Sequence, residues 1–133
     1  MGACYAAVCK LKFNIQDEPK VLAKMKEQYQ KDLADGVNFC LSEYSFAKPE
    51  SIEEFMALYF TEHQKMYNFE RIVYKNGNVI YCADSGFDAS YGWWGLMENF
   101  FTNIAELLMR GSFLDLYPDN DHVIYRVKEG KVY

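Results

Sequence analysis

The stretch DSGFDASYGWWG, residues 84–95, holds the densest group of side chains that could recognise a ligand. A glycine-rich loop that opens a helix can hold a phosphate. Here Asp84 and Asp88 would repel that anion, and the G-x-G-x-x-G spacing is absent. Aromatic anchors supply contact area at low entropic cost, and flanking carboxylates select a basic partner. The stretch therefore predicts a partner-binding site made of Asp84, Asp88, Tyr91 and Trp94.

The same residues have a second interpretation, as the capped start of a helix. Asp88 would then accept hydrogen bonds from backbone N–H groups, and the aromatic residues would be buried. Adjacent side chains on a helix point about 100° apart, so Trp93 would lead the core stripe and Trp94 would lie on its flank. Truncation of Trp94 to alanine distinguishes the two interpretations, because it removes either a partner contact or a core side chain.

His63 and His122 are the remaining candidates for acid–base or metal chemistry. His63 continues an apolar helical face, which is typical of a core or helix-end histidine. A Cys–His nucleophile would need Cys9, Cys40 or Cys82 beside it. His122 follows two turn aspartates, but the spacing of a calcium-binding loop is absent. We therefore expect no catalytic residue, no metal ion and no cofactor.

The four cysteines indicate a reducing environment. Cys4, Cys9, Cys40 and Cys82 show no C-x-x-C spacing, and residues 1–13 lack the basic start and apolar run of a signal peptide. Free cysteines are among the most buried residues, so we expect these thiols to pack in the core. The protein is accordingly predicted to be cytoplasmic and, with no run of about 18 apolar residues, to have no membrane partner.

Composition narrows the class of partner. The chain has 133 residues, 50% of them hydrophobic, which suits one compact domain over 1–133 that folds without a disulfide or a metal. Fourteen Lys and Arg against 19 Asp and Glu give a net charge of −5, which argues against nucleic acid as a partner. Aromatic residues make up 17% of the chain, more than a small core needs, so some tyrosines should lie at the surface. Surface tyrosine on an acidic protein suits protein recognition.

The elements that must position these residues follow from the apolar patterns. Strict alternation from Cys4 to Ile15 predicts a first strand, with its beginning covered on both faces. Asp17 as a cap and Gly36 as a terminator delimit the first helix, and the capping box Ser51–Glu54 starts the second. The predicted helices span 17–35, 51–65 and 90–110, and the predicted strands span 4–15, 37–46, the two arms of 69–83, 113–117, 123–127 and 131–133.

Two features of this pattern set the fold. Asn76-Gly77 between β-branched runs predicts a two-residue type I′ hairpin that pairs Val73 with Ile80, followed by a loop over 84–90. The wide apolar stripe of the third helix predicts that it is the most buried element. The order βαβα-ββαββ indicates an α+β fold, a mostly antiparallel sheet with about three helices on one face.

The C-terminal part also resembles a known group of sequences. The segment SGFDASYGW, the helix after it, Gly111-Ser112, YPDND and a final EGKV resemble small uncharacterised proteins of anaerobic gut bacteria and their mobile elements. The resemblance covers residues 85–132 and implies a bacterial or phage setting, without implying an activity.

The sequence thus favours a small, acidic, intracellular, non-enzymatic protein-interaction module, of the inhibitor, immunity or accessory-factor type. Such a protein should carry a flat aromatic and acidic patch. The alternatives are a small-ligand-binding domain, which should show an aromatic pocket between the third helix and the sheet, and an enzyme that uses a Cys–His or carboxylate site in a cleft.

Overall fold

The computed structural model of the chain describes residues 2–37, 39, 49–60, 69–90, 92–119 and 121–133, with backbone only at 2, 3, 88 and 90. The described strands are β1 (Gly2–Asn14), β2 (Glu70–Val73), β3 (Asn78–Ser90), β4 (Phe113–Pro118), β5 (Val123–Lys128) and β6 (Lys131–Val132). The described helices are α1 (Glu18–Ala34), α2 (Ile52–Phe60) and α3 (Trp93–Ile104), with short 3₁₀ turns at Ile15–Asp17 and Ala105–Leu107. Most of the predicted strand 37–46, together with Cys40, His63 and Tyr91, lies outside the described residues.

The strands form one six-stranded sheet in the order β2-β3-β1-β4-β5-β6. Every neighbouring pair is antiparallel. β1 lies in the middle and pairs with β3 along its whole length, from Gly2 opposite Ser90 to Asn14 opposite Asn78. The predicted α+β class with an antiparallel sheet is therefore confirmed.

One face of the sheet carries the core. The alternating residues of β1 from Tyr5 to Phe13 are all at most 3% exposed, as their spacing predicts. They join a cluster with apolar residues of all three helices and of strands β3, β4 and β5. Cys4 and Ala6, on the opposite face, are exposed, so the prediction that the beginning of β1 is covered on both faces is wrong.

Two of the three predicted helix-end signals are confirmed by the structure, and one is not. α1 ends at Gly36, whose φ of +86° suits glycine. Asp17 occupies the N-cap position but makes no side-chain capping bond, because the preceding 3₁₀ turn is capped instead by Asn14 through the Gln16 N–H. α2 begins with the predicted capping box, in which the Ser51 Oγ accepts the Glu54 N–H at 3.1 Å.

The most buried helix is α2, not α3 as predicted. Seven of the nine α2 residues are buried, against four of twelve in α3. Tyr59 of α2 stacks on Phe100 of α3, Phe55 packs edge-on against Tyr29 of α1, and the Phe60 carbonyl accepts a hydrogen bond from Ser85 of β3. α2 is thus enclosed by both other helices and the sheet, while α3 keeps one side in solvent.

The hairpin turns at the predicted residues with a different register. Val73 pairs with Val79 rather than with Ile80, so Lys75–Gly77 form a three-residue loop. A type I′ turn would need positive φ at both Asn76 and Gly77, and only Gly77 has it, at +90°. The Asn76 side chain instead accepts the Asn78 N–H at 3.0 Å, which stabilises the longer loop.

The predicted loop over 84–90 is wrong, because β3 continues to Ser90. Its turn-forming residues are held extended by the first half of β1, which pairs with them residue by residue. α3 consequently starts at Trp93 and ends in a 3₁₀ turn, inside the predicted limits of 90 and 110. The predicted strands 113–117, 123–127 and 131–133 are confirmed to within one residue.

Candidate functional site

Two of the four predicted site residues lie on the face of the sheet that points away from the core. Asp84 lies in β3 opposite Val8 of β1, and its side chain is exposed. Asp88 lies four residues along the same strand, opposite Cys4, and so shares this face by alternation. Tyr91 lies outside the described residues.

Trp94 lies on the other side of the sheet. Its ring is half-buried and packs against the core, and its Nε1 donates a hydrogen bond of 2.6 Å to the Tyr125 hydroxyl. That hydroxyl in turn donates to Glu98. Burial, and then the hydrogen bond to Glu98, raise the pKa of Tyr125 to about 12, so the phenol stays protonated as a donor. The structure therefore brings Asp84 and Asp88 to one face but not Trp94.

The outward side chains of β1–β5 form a surface that we call the open face. Val8, Phe113 and Ile124 lie on it and are half-buried, and none of the three belongs to the core cluster or packs against it. The three helices of the described residues all contribute to the core on the opposite face. Half-buried apolar side chains on a sheet face that the described helices leave free are typical of an interaction surface.

One half of the open face is acidic. Residues 2–8, 84–90 and 115–124, which meet at this end of the sheet, contain no lysine or arginine. We call this region the acidic half; its described carboxylates are Asp84, Asp115, Asp119 and Asp121, and the backbone of Asp88 also lies in it. Asp84 and Asp115 flank Val8 from the two neighbouring strands. Two carboxylates placed on either side of an apolar residue favour a partner that combines positive charge with apolar contact.

The turn after β4 is held against β1 by a two-way hydrogen-bond pair. The Asp119 side chain accepts the Cys4 N–H at 2.9 Å, and the Asp119 N–H donates to the Cys4 carbonyl at 2.7 Å. Asp119 has a φ of +51°, a conformation that aspartate tolerates better than most residues. Its carboxylate is therefore fixed at the end of the acidic half.

An aromatic pair stands among these carboxylates. The Tyr117 and His122 rings are stacked, with centroids 4.2 Å apart and planes 1° apart. The His122 Nε2 lies 2.5 Å from the Asp115 Oδ1, and the Tyr117 side chain is 41% exposed. Because both rings are held, they present a rigid aromatic contact at low entropic cost.

Sequence reasoning missed the group formed by Asp115, Tyr117 and His122. The alternation Phe113, Asp115, Tyr117 in β4 was the available signal, since it puts a carboxylate and an aromatic ring on the polar side of a strand. His122 was assigned to turn chemistry with the aspartates next to it in sequence. The carboxylate that contacts its ring nitrogen belongs to Asp115, seven residues away and across the hairpin.

The other half of the open face is basic. We call it the basic half; its cations are Lys10 and Lys12 of β1 and Arg126 and Lys128 of β5, and Glu70 of the edge strand β2, opposite Cys82, adds one carboxylate to it. Phe113 lies between two of them, with Lys10 opposite it on one side and Arg126 on the other. The open face therefore carries opposite charges at the two ends of its strands.

The thiols of β1 and β3 do not form an activated nucleophile. Cys9 is 1% exposed, and burial raises its pKa. Burial also raises the pKa of the half-buried Cys82. Both therefore remain thiols at neutral pH, whereas the nucleophile is the thiolate. Cys9 packs in the core, as predicted, whereas Cys4 is exposed, contrary to the prediction.

A shallow groove between α1 and α3 is a separate feature. It has a volume of about 360 Å³ and only polar lining residues. At its base Asp32 is 4% exposed and accepts hydrogen bonds from Tyr59 at 2.6 Å and Gln28 at 3.0 Å. A polar lining differs from the aromatic pocket expected of the small-ligand alternative, and the Asp32 network links α1 to α2.

Three further observations bear on the site. Among the described residues, no group of three or more His, Cys, Asp or Glu side chains could hold a metal ion. The helices in that part of the chain are too short or too polar to cross a membrane. Comparison with protein-family models, with curated proteins and with solved structures finds no match to this chain.

Proposed function

We propose that this chain is a small, acidic, non-enzymatic protein-interaction module that binds a basic protein segment on the acidic half of its open face. One observation carries the proposal: Asp84 and Asp115 flank Val8 on the sheet surface away from the described helices, beside the stacked Tyr117 and His122 rings, and the described residues of that half include no lysine or arginine. A surface of this kind suits an inhibitor, immunity or accessory factor that occupies a basic surface of its partner.

The chemistry of recognition follows from the two kinds of side chain. Tyrosine in a rigid setting is a frequent anchor of protein interfaces. The aspartates around it select lysine or arginine and raise the rate of encounter. Because the surface consists of the outward side chains of a sheet, it suits an extended segment or another sheet better than a buried small molecule.

The charge contribution is tested with an extended peptide of alternating lysine and valine. The double variant Asp84→Asn, Asp121→Asn removes two exposed charges from the acidic half. We expect binding to weaken about tenfold, roughly 1.4 kcal/mol. The matched control is Glu27→Gln, Asp35→Asn, which removes two exposed charges from α1 and its C-cap and should leave the affinity nearly unchanged. Titration calorimetry at physiological salt measures both.

The aromatic contribution is tested in the same assay. Tyr117→Ala should weaken binding about tenfold, as loss of an interface anchor does. Tyr133→Ala removes a tyrosine that is 63% exposed at the far end of the chain and serves as the control. If the acidic-half variant and the α1 variant lose the same amount of peptide affinity, the interaction depends only on the net charge of the protein and not on this surface. An affinity that none of the variants changes would contradict the proposal.

A further inference from the structure

We infer that the basic segment bound by the acidic half is the basic half of a second copy of this chain, in a face-to-face dimer. This inference rests on the proposed function and names its partner. The observation behind it is the distribution of charge along β1: Val8 lies between Asp84 and Asp115, while Lys10, the next outward residue, has Phe113 and then Arg126 beside it. Each copy therefore presents both halves of one complementary contact.

Only one of two simple arrangements brings opposite charges together. A two-fold axis parallel to the face and perpendicular to the strands lays β1 on β1 in reversed direction. The acidic half of each copy then lies over the basic half of the other. A two-fold axis along the strands would place like charges over each other, which is unfavourable. The first arrangement is an isologous contact, the commonest kind in homodimers.

In this arrangement the row of Asp84, Val8 and Asp115 lies over the row of Cys82, Lys10 and Phe113 in the second copy. Asp115 then sits above Phe113 and between two cations, Lys10 and Arg126. The symmetry repeats each contact, so every charge pair forms twice. Sheets that pack face to face are about 10 Å apart, which leaves room for these outward side chains to interdigitate.

The open face is also large enough and apolar enough for a stable contact. With strands about 4.8 Å apart and about 3.3 Å of length per residue, β1–β5 present about 700 Å². A standard interface buries about 800 Å² from each partner. Val8, Phe113 and Ile124 are half-buried and Tyr117 is exposed, so a second copy would remove a band of apolar surface from water.

A second copy fits this surface better than an unrelated basic protein. A foreign basic segment on the acidic half would leave Lys10, Lys12, Arg126 and Lys128 unpaired at the other end. In the two-fold arrangement, the second copy places opposite charges against both the acidic half and the basic half. A dimer held this way should weaken as salt rises, because salt screens the charge pairs on which it depends.

The test measures molar mass by light scattering across a protein concentration series. We expect the wild-type mass to rise from 15.6 kDa toward twice that value. Asp84→Lys, Asp115→Lys places lysines over the row of Lys10 and Arg126, and Lys10→Glu, Arg126→Glu places glutamates over the row of Asp84 and Asp115. Like charges then face each other in the central rows, so each variant alone should be monomeric. An equimolar mixture of the two restores opposite charges at both ends and should form the dimer again.

Matched controls use the exposed side of α1. Glu27→Lys, Asp35→Lys and Lys26→Glu, Lys31→Glu change the net charge by the same amounts and should dimerise like wild type. Circular dichroism establishes that each variant is folded. Should a charge-reversal variant fail to fold, the milder Asp84→Asn, Asp121→Asn replaces it and should raise the dimer dissociation constant about tenfold.

The outcomes separate this inference from the proposed function. A chain that stays monomeric at all concentrations, yet binds the lysine–valine peptide through Asp84 and Asp121, overturns the dimer and leaves the proposed function standing. A dimer that the open-face variants do not change, or that their mixture fails to restore, also overturns it. Restoration in the mixture, with unchanged controls, establishes the reversed face-to-face arrangement.

Discussion

Arg71 joins the edge of the sheet to the start of α1. Its guanidinium makes two hydrogen bonds of 3.0 Å to the Glu18 carboxylate and a third of 3.0 Å to the Tyr81 hydroxyl. The same cation lies 5.8 Å from the centre of the Tyr81 ring. The Arg71 hydrogen bond lowers the pKa of Glu18, and burial raises the pKa of Tyr81 to about 12. At neutral pH, Tyr81 therefore stays protonated and donates to the charged carboxylate.

This arrangement predicts how stability depends on pH. Because the Glu18 pKa is lower in the folded state, its stabilising contribution is fully present above the unfolded pKa of about 4.3. It is lost as pH falls through the folded pKa. Glu18→Gln should cost about 1 kcal/mol at neutral pH, since the pair is partly exposed. Its stability should also fall less steeply with acid than that of wild type.

Urea unfolding at a series of pH values measures this difference. Glu27→Gln, an exposed change on the same helix, is the control and should follow the wild-type pH profile. Parallel acid limbs for wild type and Glu18→Gln would show that the Arg71 contact does not stabilise the charged carboxylate.

Trp94 tests the two interpretations of residues 84–95. The structure favours packing, because the ring contacts the core and its N–H is bonded to Tyr125. We expect Trp94→Ala to lower the free energy of unfolding by about 3 kcal/mol. Trp94→Phe keeps most of the packing and should lose about 1 kcal/mol through the missing donor. If Trp94→Ala is as stable as wild type but no longer binds the peptide, Trp94 belongs to the partner-binding site instead.

At the scale of elements, two glycines predict opposite responses to alanine. Gly77 has a φ of +90°, so Gly77→Ala should destabilise the hairpin by about 1–2 kcal/mol even though a Cβ there would meet nothing closer than 3.7 Å. Gly95 lies exposed within α3, and a Cβ there would meet no atom within 4 Å. Gly95→Ala should therefore stabilise the protein by about 0.5–1 kcal/mol.

Thermal unfolding compares the two variants directly. Gly77→Asn is an informative companion, since asparagine adopts positive φ more readily than alanine does. Its stability should fall between wild type and Gly77→Ala. If Gly77→Ala and Gly77→Asn are equally destabilised, the loss comes from something other than backbone strain.

The elements that sequence predicts well are those whose signals are local. The alternation of β1, the capping box at Ser51 and the terminator Gly36 each depend on neighbouring residues, and all three are confirmed. The error in residues 84–90 has a tertiary cause. Aspartate, serine and glycine favour a turn locally, but pairing with β1 along the whole segment outweighs that preference.

At the scale of the whole molecule, the candidate site could be predicted only in part. Asp84 and Asp88 lie four positions apart in one strand, a spacing that can be read from the sequence alone. Their nearness to Asp115 and Tyr117 depends on β1 lying between β3 and β4, which no local pattern encodes. The net charge is also insufficient to predict the site. A value of −5 for the chain does not show that acidic and basic side chains are separated along the open face.

The central position of β1 has a consequence for the order of folding. Its partners lie far along the chain, from Asn78 opposite Asn14 to Pro118 opposite Tyr5. During synthesis, this strand must therefore wait for almost the whole chain to emerge before both of its edges are paired. Closing such long loops early is entropically unfavourable, so we expect slow folding, in milliseconds to seconds. Until β3 and β4 are made, an alternating apolar strand stays open to pairing with other chains, so β1 is the strand of the newly made protein that most needs protection.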